Sequence, residues 1–223
     1  MINSFRVAIR VLVLSQFALW LAVAGAQEKG ALAESSALPG FVAILPQLRQ
    51  GGLVIYFRHG PTDASRGATD EKADLARCET QRNLSAAGRA LMAAVGKAIR
   101  ALAVPVGPVL SSPYCRCKDT ATLALGHYTV SNDLHFALGV APAERARLAE
   151  SLRAMLAMPP PRGKNTFIVS HTANLKEAAG IWPKPEGAAY VFRPLGNGRF
   201  EALAAVMPEE WAKAAGAPPA RPR

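Results

Sequence analysis

Two short apolar runs in the sequence each end at a histidine. Residues 53–57 lead into Arg58-His59-Gly60, and residues 166–169 lead into Ser170-His171. Continuous apolar runs of this length are typical of strands buried on both faces, as in parallel sheets covered by helices. We therefore expect both histidines to lie where a buried strand ends.

Helical patterns separate these runs. Leu91, Val95, Ile99 and Leu102 recur at steps of four, four and three after Ser85, a residue suited to a helix N-cap. Further helices are predicted over residues 115–125, 142–158 and after His171, with a strand at 109–110 and a hairpin over 188–193 and 199–205. This alternation predicts an α/β fold with three αβα layers, a mostly parallel sheet flanked by helices. Ligands of such sheets bind outside the carboxyl ends of the strands, where both histidines and Ser111-Ser112-Pro113 are expected.

The N-terminal residues 1–26 have the pattern of a secretory signal peptide. Arg6 and Arg10 precede an apolar stretch over residues 11–23, and Ala24-Gly25-Ala26 resembles a cleavage site. The alternative is an uncleaved anchor helix. After cleavage no stable membrane span is expected, and the product is predicted to be periplasmic or secreted. Residues 27–40 are predicted to be a tether, 41–211 the folded domain, and 212–223 a flexible tail.

The charge balance favours an anionic partner. The chain carries 26 Lys and Arg against 16 Asp and Glu, a formal net charge of +10. Charge alone leaves a phosphate ester, a nucleic acid and an acidic membrane open as partners, but no basic run interleaved with aromatic residues occurs, so no nucleic acid is expected. Half of the residues are apolar, which excludes global disorder. Beyond the N-terminal segment no apolar run reaches about 18 residues, which excludes a polytopic membrane protein.

Three cysteines in an oxidising compartment predict one disulfide and one free thiol. A bridge between Cys115 and Cys117 would be strained, so Cys78 is expected to pair with one of them. A zinc site is the alternative. No Cys-x-x-Cys or His-x-x-x-His spacing supports zinc, and we expect no metal.

Four motifs resemble those of the histidine phosphatase superfamily, with its phosphoglycerate-mutase-like fold. Residues 54–60 resemble the family's strand and Arg-His-Gly signature, and Asn83-Leu84-Ser85-x-x-Gly88 resembles its Leu-Ser/Thr-x-x-Gly helix start. Residues 111–121 resemble its Ser-x-x-x-Arg-x-x-x-Thr-Ala element, and residues 168–171 supply a second histidine after a buried strand. The motifs occur in the family's order over about residues 50–180. The resemblance implies that residues 41–211 form a histidine-phosphatase-like catalytic domain.

The resemblance also implies roles for four residues. His59 would be the nucleophile that forms a phosphohistidine, and His171 would donate to the phosphoryl oxygens. A phosphate dianion repels nucleophiles, so its charge must be neutralised; Arg58 and Arg116 carry planar guanidinium groups suited to this. No cofactor is expected, because the arginines take the place of a metal. The other two histidines, His127 and His135, are interpreted as structural.

The sequence departs from the family pattern at several positions. Pro61 replaces a Glu after the signature, Thr62 matches, and Ser65 stands where many members have Asn; Thr62 and Ser65 are expected as further phosphate contacts. No carboxylate occurs in Leu134-His135-Phe136 or at Thr172, the family's two positions for a general acid. The remaining candidates for this acid are Asp133, Glu144 and Asp63, with Asp70 and Glu71 in the same polar loop.

These features predict an exported phosphomonoesterase that acts through a phosphohistidine on His59. Its partner would be a small phosphorylated substrate or a phosphoprotein; an envelope sugar phosphate and a periplasmic nucleotide are equally open. The alternative is a phosphoanion-binding module that has the pocket but little or no turnover. A mutase fits less well, because mutases of this family are cytosolic.

Overall fold

The computed structural model describes residues 40–63, 65 and 73–216. The predicted signal peptide, residues 27–39 of the predicted tether, and Asp70 and Glu71 lie outside the described residues. The described residues form six helices, which are α1 (Phe41–Gln50), α2 (Ala86–Ala101), α3 (Cys115–Leu125), α4 (Pro142–Ala157), α5 (Thr172–Ala179) and α6 (Pro208–Ala214). They also form six strands, which are β1 (Val54–Arg58), β2 (Val106–Ser111), β3 (Thr129–Val130), β4 (Asn165–Ser170), β5 (Ala189–Gly196) and β6 (Arg199–Val206).

The strands form one mixed sheet in the order β3-β2-β4-β1-β5-β6. Strands β1, β2, β3 and β4 run parallel to one another, whereas β5 is antiparallel to both β1 and β6. Segments that contain α2, α3 and α4 connect the four parallel strands in turn, and the antiparallel pair β5 and β6 is the predicted hairpin. The predicted α/β class is therefore confirmed.

Helices cover both faces of the sheet. Along β1, Ile55 and Phe57 pack in one buried cluster with side chains of α1, α2, α3 and α6. Val54 and Tyr56 point the other way and pack with side chains of α4 and α5. Successive residues of a strand face opposite sides, so residues 54–57 of this strand are buried between two layers of helices, which gives three layers in all.

Two details of the helices differ from the sequence predictions. On α2, Met92 is fully buried in place of the predicted Leu91, which is half-buried, because α2 presents the Met92, Val95 and Ile99 side of its apolar surface to the core. The folded domain continues beyond its predicted end at residue 211. Trp211 is fully buried and α6 extends to Ala214, so residues 212–214 belong to a helix and not to a tail.

The start of α2 is joined to the segment that follows β1. The Ser85 hydroxyl accepts a hydrogen bond from the Gly88 N–H, as predicted for a helix cap, while the Ser85 N–H donates to the Pro61 carbonyl. A Cβ at Gly88 would lie 2.0 Å from that carbonyl oxygen. Glycine is therefore required at this position by the close approach of the backbone after Gly60.

Among the described residues, no helix has the length and apolar character needed to cross a membrane.

Candidate active site

The two histidines lie side by side at the carboxyl edge of the parallel strands. Arg58 and Ser170 are register partners at the ends of β1 and β4, and the His59 N–H donates to the Ser170 carbonyl at 3.0 Å. The ring centroids of His59 and His171 are 5.5 Å apart, and the two residues are only 2% and 0% exposed. The structure thus brings together the two histidines that the sequence predicted to meet.

The ring of His59 is held in one tautomer. Its Nδ1 lies 2.9 Å from the Gly60 carbonyl oxygen, which can only accept, so Nδ1 carries the proton and Nε2 keeps its lone pair. The Gly60 N–H in turn donates to the Thr120 hydroxyl. Burial, and then the positive charge of Arg116, hold the pKa of His59 well below its ordinary value. His59 is therefore a neutral imidazole at neutral pH.

His171 is held in the opposite tautomer. Its Nδ1 lies 3.0 Å from Nη2 of Arg116, which can only donate, so Nδ1 accepts. Its Nε2 therefore carries the proton and donates to the Ser112 hydroxyl oxygen at 2.8 Å. Burial, and then the charges of Arg116 and other neighbours, lower the pKa of His171 well below its ordinary value. Ser112, which the sequence placed only at a strand end, is thus part of the site.

Arg116 is fully buried on the first turn of α3. Its guanidinium carbon lies 4.6 Å from the ring centroid of Tyr114 and 5.6 Å from that of Phe136. The negative faces of these rings compensate part of the cost of burying the cation. The Arg116 carbonyl also accepts a hydrogen bond from the Thr120 hydroxyl, which contacts the Gly60 N–H. The motif that contains Arg116 is thus joined by hydrogen bonds to the Arg58-His59-Gly60 motif.

The site contains a carboxylate that the sequence analysis did not identify. Glu186 precedes β5, and its Oε1 lies 3.0 Å from Nη2 of Arg58 and 3.6 Å from Nη2 of Arg82. Its Oε2 accepts the Thr62 N–H at 2.8 Å, and the Thr62 hydroxyl is within 3.3 Å of both carboxylate oxygens. The side chain of Glu186 is 20% exposed, so it lies at the mouth of the site and not in the core.

Arg82 was also not predicted as a site residue, although its position before the Leu84-Ser85 motif could have suggested it. Residues 62 and 84 form an antiparallel bridge, which brings Arg82 beside the segment after Arg58. The positive charge of Arg82 contributes to lowering the pKa of both His59 and His171. Three guanidinium groups, those of Arg58, Arg82 and Arg116, therefore act on His59, and two of them, those of Arg82 and Arg116, act on His171.

The contacts described for the other predicted site residues are with residues other than the two histidines. The Ser65 hydroxyl donates to the Asp63 carboxylate at the surface, and Thr62 contacts Glu186. Asp133 and Glu144 both pair with Arg147, and their side chains are 43% and 42% exposed. Among the contacts described for Asp133 and Glu144, none joins either carboxylate to His59 or His171.

The remaining histidines have contacts outside this hydrogen-bonded group. His127 is exposed and its Nε2 lies 3.1 Å from the Gly107 carbonyl oxygen, near the opposite edge of the sheet. The ring of His135 packs edge-on against Tyr114, with 5.3 Å between the centroids.

One disulfide joins Cys78 to Cys115, as one of the two predicted pairings, with a Cα–Cα distance of 5.7 Å. The Cys115 N–H also donates to Oε1 of Gln81, so the segment before Arg82 is attached to the start of α3. Cys117 lies outside the disulfide and its thiol is buried, with Sγ 3.7 Å from Nε2 of His171. Within the described ranges, no group of three His, Cys, Asp or Glu residues could hold a metal ion.

This arrangement suits the binding of a tetrahedral dianion. Arginine side chains bind such oxygens in pairs, and a neutral imidazole with a free Nε2 lone pair can attack the central atom.

Comparisons with known proteins agree with these observations. The profile of the histidine phosphatase superfamily (branch 1) matches residues 54–138. A search of curated proteins found no significant match. Among solved structures, a candidate alpha-ribazole-5'-P phosphatase from Escherichia coli K-12 aligns with a TM-score of 0.52 and 14% identity, over 71% of this chain and 98% of its own.

Two further solved structures share the fold. The alpha-ribazole phosphatase of Shigella flexneri aligns with a TM-score of 0.51 and 15% identity, over 70% of this chain and 96% of its own. The phosphoserine phosphatase of Entamoeba histolytica, in complex with 3-phosphoglyceric acid, aligns with a TM-score of 0.50 and 14% identity, over 69% of this chain and 95% of its own. At such identities these similarities establish the fold alone. Together with the sequence match over residues 54–138, they confirm the resemblance of this chain to the histidine phosphatase superfamily.

Proposed function

We propose that this chain is an exported phosphomonoesterase that hydrolyses phosphate esters through a phosphohistidine on His59. The observation that carries the proposal is the hydrogen bond from His59 Nδ1 to the Gly60 carbonyl, 2.9 Å long. Because this bond fixes the proton on Nδ1, the Nε2 lone pair is available at neutral pH. The depressed pKa of His59 supports the same state.

The arginines would bind the phosphoryl oxygens. Arg58 and Arg116 are the ligands that the resemblance implies, and Arg82 is added because it lies 3.6 Å from the Glu186 carboxylate that Arg58 also contacts. Guanidinium groups that share one carboxylate are spaced to share another oxyanion of similar size. Positive charge held in place around the developing phosphoryl charge stabilises the transition state.

His171 would have two roles. Its Nδ1 accepts from Arg116 and so fixes the orientation of that guanidinium. Its Nε2–H donates a hydrogen bond to Ser112 in the structure. Once substrate is bound, the same N–H would donate its hydrogen bond to a phosphoryl oxygen instead. Both roles require the neutral ring that its lowered pKa favours.

The substrate would be a small phosphate ester or a phosphoprotein. The test is a panel of phosphate esters containing an aryl phosphate, a sugar phosphate, a nucleotide, phosphoserine and a phosphopeptide, each with and without chelator. We expect chelator-resistant release of phosphate from part of the panel and a burst of alcohol product from the best ester. Tight phosphate binding without release from any member would instead support a phosphoanion-binding module.

Export is supported by the predicted signal peptide and by the Cys78–Cys115 disulfide, because such bridges persist in oxidising compartments. Sequencing the N-terminus of the protein from an exporting bacterial host tests this part. We expect the mature chain to start at Gln27 in the periplasmic or secreted fraction. A chain that starts at Met1 in the cytosol would contradict export, and one that starts at Met1 in the membrane would support the anchor.

A further inference from the structure

Glu186 is an acidic side chain in contact with two arginines at the mouth of the site. Its contacts with Arg58 and Arg82 leave the carboxylate between these cations and solvent. Its backbone is attached to the nucleophile, because the adjacent Gly187 donates its N–H to the His59 carbonyl at 2.8 Å. The Thr62 N–H holds the second carboxylate oxygen. Glu186 is thus fixed relative to His59 by two backbone contacts.

We propose that Glu186 is the acid–base residue that protonates the leaving oxygen of the substrate and later deprotonates the attacking water. This inference rests on the proposed function of the same site. It assigns the proton donor to a residue outside the two positions at which the family pattern places the acid.

The contacts of Glu186 explain how substrate binding would favour protonation of its carboxylate. Without substrate, the Glu186 carboxylate pairs with Arg58 and Arg82. A phosphate dianion that binds the same two arginines neutralises their charge and places a like charge beside Glu186. The repulsion between the two anions favours the carboxyl form, as in any pair of acids that share a site. Substrate binding thereby prepares the donor.

The steps balance as follows. As the bond from His59 Nε2 to phosphorus forms, the bond from phosphorus to the leaving oxygen breaks, and the Glu186 carboxyl proton passes to that oxygen. In the second step a water oxygen attacks phosphorus while its proton passes to the Glu186 carboxylate. The phosphorus–nitrogen bond then breaks, His59 regains its lone pair, and inorganic phosphate leaves.

The predicted acid candidates are less suited to this role. Asp133 and Glu144 are engaged by Arg147 at the surface, and the Asp63 carboxylate accepts the Ser65 hydroxyl. Arg147 keeps Glu144 ionised, since its hydrogen bond lowers the pKa of that carboxyl. A donor must carry a proton, which Arg147 opposes and a bound phosphate beside Glu186 promotes.

The first test compares leaving groups. Glu186→Gln keeps the shape of the side chain and an oxygen for the Thr62 N–H, but it cannot transfer a proton. We expect kcat/KM for an alkyl phosphate to fall at least 100-fold, whereas nitrophenyl phosphate, whose leaving group needs no proton, loses less than 10-fold. Glu177→Gln removes an exposed carboxylate from α5 and should change neither value.

The second test needs no turnover. Tungstate is a tetrahedral dianion at neutral pH, so calorimetric titration in buffers of different ionisation enthalpy reports protons taken up by the protein alone. We expect the wild-type protein and Glu177→Gln to take up close to one proton more per tungstate than Glu186→Gln.

The outcomes separate the two proposals. Equal losses for both leaving groups in an otherwise active enzyme, or equal proton uptake by Glu186→Gln and wild type, would overturn the role of Glu186 alone. If wild-type protein hydrolyses no ester of the panel, the phosphatase proposal fails and the catalytic role of Glu186 fails with it, even if proton uptake differs.

Discussion

Nη2 of Arg116 lies 3.0 Å from Nδ1 of His171, so the second histidine of the site orients the buried arginine. Since arginine only donates, this contact also fixes the tautomer of His171 and directs its Nε2–H to Ser112. Arg116 and His171 therefore form one hydrogen-bonded unit. A change to either residue should disturb the other.

The first prediction is that Arg116→Lys lowers kcat/KM at least tenfold. A lysine ammonium is a point charge that cannot contact His171 and a phosphoryl oxygen with the geometry of a guanidinium. Steady-state kinetics measures the loss. Arg147→Lys is the matched control, because Arg147 pairs with acidic residues at the surface, and its kinetics should not change. A rate unaffected by Arg116→Lys would mean that Arg116 does not bind substrate.

The second prediction is that His59→Ala abolishes phosphatase activity and leaves the protein folded. His59 follows the last residue of β1, and its side chain contacts the adjacent Gly60 carbonyl rather than the apolar clusters. Wild-type protein quenched during turnover should carry a phosphorylated histidine that is acid-labile and base-stable. His127→Ala, at an exposed histidine, serves as the control. Half of the activity remaining in His59→Ala would refute the mechanism.

The third prediction concerns the pH dependence of stability. Both His59 and His171 have a folded-state pKa well below the ordinary value of 6.5, chiefly because they are buried. Below about pH 6.5 the unfolded chain binds protons that the folded protein excludes, so the free energy of unfolding falls as the pH falls. The limiting slope is about 1.4 kcal/mol per pH unit for each histidine.

Urea denaturation at intervals between pH 7.5 and 5.5 measures this slope, and carboxylates contribute little to it in that range. His59→Asn removes one of the two groups and should reduce the slope by about half. The exposed His127→Asn should leave it unchanged. A stability that is independent of pH over this range would show that the histidines have the same pKa in the folded and unfolded states, and one that rises as the pH falls would show that they are charged in the folded protein.

The fourth prediction is that the Cys78–Cys115 disulfide stabilises the domain and keeps Arg116 in position. The bridge closes a loop with a sequence separation of 37 residues, for which chain entropy gives a stabilisation of up to about 4 kcal/mol. Reduction should lower both the melting temperature and the activity. Cys117→Ser is the control, because it keeps the bridge, and reduction should lower its melting temperature as much as it lowers that of the wild-type protein.

Alkylation followed by mass spectrometry tests the pairing. Without reductant, we expect one alkylated cysteine, Cys117, and only after unfolding, because its side chain is buried. Three alkylated cysteines in unreduced protein would refute the bridge. Alkylation at Cys115 with Cys117 bridged to Cys78 would refute the observed pairing but not the stabilising role of a bridge.

The choice between the two possible disulfides illustrates what local sequence leaves open. Cys115 and Cys117 differ by two positions on α3, and this spacing turns their side chains by about 200° relative to each other. One therefore faces the segment of Cys78 and the other faces β4 and His171. Only the packing of α3 on the sheet decides which is which.

The missing acid illustrates the same limit over a longer distance. Asp133 and Glu144 are close to the family's positions in sequence, but Arg147 on α4 engages both. The sequence does not point to Glu186, because the pattern after His171 does not reveal the direction of the last hairpin. In the structure β5 is antiparallel to β1, so the segment that leads into β5, which contains Glu186, lies at the same edge of the sheet as the segment that follows β1.

The sequence by itself determined the strands that end at His59 and His171, the helices between them, and the class of the sheet. These follow from short-range properties, namely apolar runs, helical spacing, the cap at Ser85 and the alignment of parallel strand ends. Tertiary structure alone decided the tautomer of His171, the partner of Cys78 and the contact of Glu186 with Arg58 and Arg82. These depend on contacts between segments up to 128 residues apart, such as Arg58 and Glu186, whose geometry is set by how the helices and the hairpin pack on the sheet.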